Sequence, residues 1–138
     1  MKRFAYAIVV ITLMVAFCHC QKEEGPSERF RLLTSPTWAS DSLLVNGLDA
    51  SGPGGVLENF NGDVKFNEDG TGTFGNFTGT WRFAMDETEL VIESESLNFP
   101  LTTEIAELTS ASLKITTTFP NAANPDEDFK IRMTFRAK

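Results

Sequence analysis

The groups in this 138-residue chain that can do chemistry begin with two thiols, Cys18 and Cys20, separated by His19 and followed at once by the polar string Gln21-Lys22-Glu23-Glu24. Neither cysteine nor histidine occurs in the 118 residues after Cys20. That distribution removes an internal disulfide from the downstream domain, removes Cys-His and Ser-His-Asp nucleophile systems, and removes the commonest metal ligands. A thiol retained at the boundary between an apolar leader and a polar chain points to alkylation of its sulfur, that is, to lipid attachment. The other candidates are carboxylates. Glu68 with Asp69 falls in a turn and Glu93 with Glu95 at a strand end, where solvated charge accounts for them without acid-base work. Asp126-Glu127-Asp128 offers the oxygen ligands that a hard cation such as Ca²⁺ takes, but without EF-hand order. The expectation is a protein that is not an enzyme, with no cofactor and no metal.

The leader has the layout of a secretory signal: Lys2 and Arg3, an apolar run over residues 4–17, then the abrupt polar boundary. The run is shorter than the roughly 20 residues a helix needs to cross a bilayer. With its cysteines the segment resembles a bacterial lipoprotein signal, in which a Cys is alkylated with diacylglycerol and becomes the new N-terminus. Cys20 is chosen over Cys18, because Cys20-Gln21-Lys22-Glu23-Glu24 is also similar to the lysine-plus-acidic tag that directs lipoproteins of the Bacteroidota to the outer face of the outer membrane. The resemblance implies a signal over residues 1–20 with lipidated Cys20, an acidic tether over 21–28, and a domain over 29–138. It also implies anchoring to outer-membrane lipid, with display at the cell surface or, as the alternative, at the periplasmic face.

Downstream of Cys20, ten Lys and Arg face nineteen Asp and Glu, a net charge near −9. Nucleic acid and anionic membrane surfaces both require clustered positive charge and are excluded as partners. About 118 residues make one domain with one core, and a monomer is expected.

From Arg29 onward the periodicity is mostly two. Residues 29–34 suit a short helix stopped by Pro36. Residues 37–46 read as a first strand, followed by a glycine-rich loop over 47–55 without the lysine of a phosphate loop. Val64 and Phe66 alternate with polar neighbours, Glu68-Asp69-Gly70 turns, and residues 71–77 return; 76–79 read as the next turn, with strands over 80–85 and 89–93. Strands over 103–108, 112–119 and 129–136 complete the pattern. Short strands joined by tight turns pair with their sequence neighbours in an antiparallel meander. The expected fold is all-β: an up-and-down antiparallel barrel of about eight strands with a short N-terminal helix.

Several short motifs, in order, resemble the small lipocalin-like domains of Bacteroidota lipoproteins. They are Arg31-Leu32-Leu33-Thr34 with Pro36-Thr37-Trp38, Phe66-Asn67-Glu68-Asp69-Gly70-Thr71-Gly72, Gly79-Thr80-Trp81 and Leu113-Lys114-Ile115. The resemblance implies that Trp38 closes one barrel end beneath the helix. It supports a fold more than a task, and two interiors remain open. In one, period two points Phe66, Phe74, Trp81, Phe83, Leu90, Ile115, Phe129, Ile131 and Met133 inward to line a cavity for a small apolar ligand. In the other, the ten phenylalanines after Cys20 and the two tryptophans fill the barrel, and the protein works as an interaction or structural module. Its loops at 47–61 and 120–128, with Phe60 or Phe77 as exposed anchors, would then meet an envelope protein or a glycan.

Overall fold

The computed structural model describes residues 25–138. The signal, Cys18, Cys20 and the string Gln21-Lys22-Glu23-Glu24 lie outside the described residues. The chain enters through a helix, α1 (Glu28–Thr34), one residue earlier than the sequence pattern suggests. Ser27 caps it by accepting the N–H of Phe30 at 3.0 Å, and Glu28 complements the dipole in the first turn. At the other end one side chain takes up three successive carbonyls: Lys65 Nζ donates to those of Thr34, Ser35 and Pro36 at 2.6, 3.1 and 3.0 Å.

Nine antiparallel strands follow: β1 (Trp38–Val45), β2 (Leu48–Asp49), β3 (Asp63–Phe66), β4 (Thr71–Phe74), β5 (Phe77–Ala84), β6 (Glu89–Glu93), β7 (Leu101–Leu108), β8 (Ser112–Phe119) and β9 (Phe129–Ala137). Strands β3 to β9 pair in sequence order. β1 closes the circuit, pairing with β3 at its start and with β9 from Trp38↔Ala137 to Val45↔Ile131. The wall is therefore an eight-stranded barrel, as the alternation predicts, and β2 is a two-residue addition to the end of β1. Asn46 and Gly47, with φ of 51° and 80°, make the type I′ turn between β1 and β2. This hairpin lies partly in a stretch that reads from sequence only as loop.

The two ends of the barrel differ. At the closed end α1 lies against Trp38 and Trp81, and the turn after β5 is tied to it: Ser27 Oγ donates to Glu87 Oε1 at 2.7 Å and Arg29 Nε to the Glu87 carbonyl at 2.9 Å. At the open end gather the loop from β2 to β3 with a single 3₁₀ turn (Glu58–Phe60), the β4–β5 turn, the β6–β7 loop and the β8–β9 loop.

One turn falls elsewhere than the sequence pattern suggests. β4 stops at Phe74, the turn is the pair Gly75-Asn76, and β5 starts at Phe77, three residues before Thr80. Gly75 has φ of 61° at the first central position, which is type II′ chemistry. The turn supports the loop above it, since Asn76 N–H donates to the Asn59 carbonyl at 2.8 Å. A Cβ on Gly75 would run into the Asn59 carbonyl oxygen and stand 2.8 Å from the Phe60 carbonyl carbon. Gly75→Ala is accordingly expected to cost about 2 kcal/mol through combined dihedral strain and backbone collision. Urea denaturation measures it, and an unchanged midpoint would show that the loop gives way freely.

An apolar cavity at the open end as candidate functional site

The lower interior is packed with rings. Phe66 meets Phe74 at 5.4 Å and Trp81 at 5.5 Å between centroids, Phe83 meets Trp81 edge-on at 5.5 Å, and Phe30 of α1 covers Trp81 at 5.6 Å. The two indoles satisfy their polar atoms locally: Trp81 Nε1 donates to the Asn67 carbonyl at 2.9 Å and Trp38 Nε1 to the Leu33 carbonyl at 3.0 Å. Trp38 is fully buried where the helix meets the barrel. Rings in mutual contact at these spacings pack the lower half as a floor.

The upper half is different. A cavity of about 330 Å³ lies between the β2–β3 loop, the β6–β7 loop and the ends of β8 and β9. Two aromatic pairs stand in its wall, Phe60 with Phe77 at 4.9 Å and Phe99 with Phe119 at 5.1 Å. Leu57, Leu97, Leu101 and Pro120 add aliphatic surface, and no charged side chain lines it. The polar atoms available are those of Ser96, Asn98 and Thr117. The Thr117 hydroxyl donates to the Thr102 carbonyl at 2.8 Å, so toward the cavity it offers lone pairs and no proton.

Of the nine residues that alternation points inward, Phe129, Ile131 and Met133 line this cavity. Phe66, Phe74, Trp81, Leu90 and Ile115 are buried in the packed interior outside its lining, and Phe83 is half-buried against Trp81. Phe60 and Phe77 are not free loop anchors: both are partly buried and belong to the cavity wall. Val56, Leu57, Leu97, Phe99 and Leu101 also line the cavity, although the pattern did not mark them. Their sequence signal is apolar residues inside stretches otherwise rich in Gly, Pro, Ser and Asn.

The carboxylates behave as surface groups. Asp69 accepts the N–H and hydroxyl of Thr71 at 2.9 and 2.6 Å, and Asp49 accepts the corresponding groups of Ser51 at 3.0 and 2.7 Å. In each case the hydroxyl hydrogen bond, reinforced by the backbone one, holds the carboxyl below its ordinary range. Glu93, Glu95 and Asp126-Glu127-Asp128 are exposed. Among the described residues no group of three or more His, Cys, Asp or Glu side chains is placed to hold a metal ion, and no helix is long and apolar enough to cross a membrane.

No protein-family model and no curated protein matches the chain. Solved structures do: it is similar to bovine odorant binding protein in a complex with a selenium-containing odorant, at 13% identity and a TM-score of 0.52, over 85% of this chain and 77% of that one. At this identity the likeness speaks for architecture, and with the closed circuit of β1 and β3–β9 it gives the described residues a lipocalin-like, eight-stranded antiparallel barrel entered through a short helix.

Proposed function

We propose that this protein is a lipid-anchored carrier of a small hydrophobic molecule, held at the cell envelope. The observation that carries the reading is the uncharged, ring-lined cavity of about 330 Å³ beneath the open-end loops. Burial of apolar ligand surface would supply the affinity, at roughly 25 cal/mol per Å². At interior packing density the space suits about a dozen non-hydrogen atoms. The bound odorant in the bovine protein supports the same use of the fold. Native mass spectrometry of residues 21–138 isolated from their own source tests it: a small molecule at near-unit stoichiometry is expected, and an empty protein that takes up no apolar probe would refute it.

The anchor rests on the leader pattern and on Cys20 followed by Gln21-Lys22-Glu23-Glu24, which support diacylglycerol attachment, Bacteroidota-type export and display at the outer face of the outer membrane. Cys20→Ser is expected to release the protein from membranes while the barrel still folds. Retention of that variant in the membrane fraction, with release on Cys18→Ser, would move the anchor to Cys18.

A second reading is favoured by exposed apolar side chains: Leu48, Val56 and Phe99 are 74%, 68% and 54% exposed. In that reading the loops dock an envelope protein or glycan while the ring-packed interior serves only as scaffold.

A further inference from the structure

The β7–β8 pairing ends early. Its ladder runs from Leu108↔Leu113 to Glu104↔Thr116 and stops there, so Thr103, Thr102 and Leu101 have no ladder partners on β8. Continuing the register would set them opposite Thr117, Thr118 and Phe119. Each strand stays bound on its other side, β7 to β6 as far as Leu101 and β8 to β9 as far as Phe119. The barrel wall is thus split for three residue pairs, about 10 Å along the strands. The Thr117 hydroxyl donates to the Thr102 carbonyl across this stretch.

Over the outside of this split runs a broad groove of about 1270 Å³, and Thr117 and Ile131 line both it and the inner cavity. The register sorts the outer charges. One row across the groove reads Glu89, Glu104, Thr116, Arg132, and in the next Lys130 stands beside Thr118. Arg132 and Lys130 make no ion pair among the described residues, and carboxylates flank them on both sides, from Glu89 and Glu104 and from the loop at Asp126–Asp128. An anionic head alone meets five carboxylates there, and a cationic head alone leaves Arg132 and Lys130 without a partner. A zwitterion can place its anionic part on Arg132 and Lys130 and its cationic part toward the carboxylates.

We infer that the ligand class is a single-chain zwitterionic amphiphile, its alkyl chain in the inner cavity and its head in the outer groove, the two joined through the β7–β8 split. This rests on the carrier reading and names the chemistry of its cargo. An eight-carbon chain fits within the dozen non-hydrogen atoms the cavity holds.

The test is calorimetric titration of the protein as isolated with octyl probes below their micelle concentrations: 1-octanol, octylphosphocholine, octyl sulfate and octyltrimethylammonium. Octylphosphocholine is expected to bind at least about tenfold more tightly than the other three, and the preference is expected to shrink with added salt. Arg132→Gln should abolish the preference and leave octanol binding unchanged. A disulfide joining Thr102→Cys to Thr118→Cys should do the same when oxidised and not when reduced. Equal affinity for octanol and octylphosphocholine, a preference for either singly charged probe, or a preference that survives the closed split would overturn the proposal while leaving the cavity in place. Failure of every probe, octanol included, would remove the carrier reading and this one with it.

Discussion

Replacing Trp38 by alanine is expected to cost about 3 to 5 kcal/mol. The side chain has no exposed surface, it stands where the start of β1 pairs with both β3 and β9, and its indole N–H is committed to the Leu33 carbonyl at the end of α1. Truncation would open a void between helix and barrel and leave the Leu33 carbonyl without its donor. Thermal and urea unfolding measure the loss. Trp38→Phe separates its two causes, because it restores most of the volume and none of the hydrogen bond. A Trp38→Ala protein as stable as the parent would mean that the helix does not seal this end.

The second large effect concerns binding. Leu97→Trp places an indole on the β6–β7 loop, partly buried at the cavity wall, where the added volume can enter the 330 Å³ space without moving a strand. Ligand or apolar-probe affinity is expected to fall by at least about thirtyfold, on the order of 2 kcal/mol, while the unfolding midpoint stays near that of the parent. Trp38→Ala and Leu97→Trp thus make opposite demands: the first should destabilise the protein with little direct effect on the cavity, the second the reverse. Undiminished probe binding by Leu97→Trp would place the ligand elsewhere.

The strands were largely legible because their chemistry is local. Glu89–Glu93 and Ser112–Phe119 have the bounds that alternation suggests, and Phe129–Ala137 extends one residue further. The turn before β5 was obscured because Phe74 and Phe77 both look like strand residues. Gly75-Asn76 between them is the hairpin signal, and it outweighs Phe77's fit to the preceding strand. The cavity was legible only in part, for a geometric reason. Period two says which face a side chain takes but not its height along the barrel axis, which is set by strand tilt and register. Phe66 and Phe129 therefore look equivalent in sequence, yet Phe66 is in the floor and Phe129 in the cavity wall. Leu57, Leu97 and Phe99 come from loops, where no period marks a buried side chain.

The chain joins the barrel at its closed end, with Ser27 and Arg29 fastened to the turn at Glu87, while the cavity opens at the other. An anchor upstream of Gly25, as proposed at Cys20, would therefore attach the molecule on the side of its sealed end. With the anchor proposed at Cys20, the sealed end would face the membrane and the proposed cargo would enter and leave through the mouth on the far side. The hydrogen bonds to Glu87 then act as a clamp that keeps the entering chain at the sealed end.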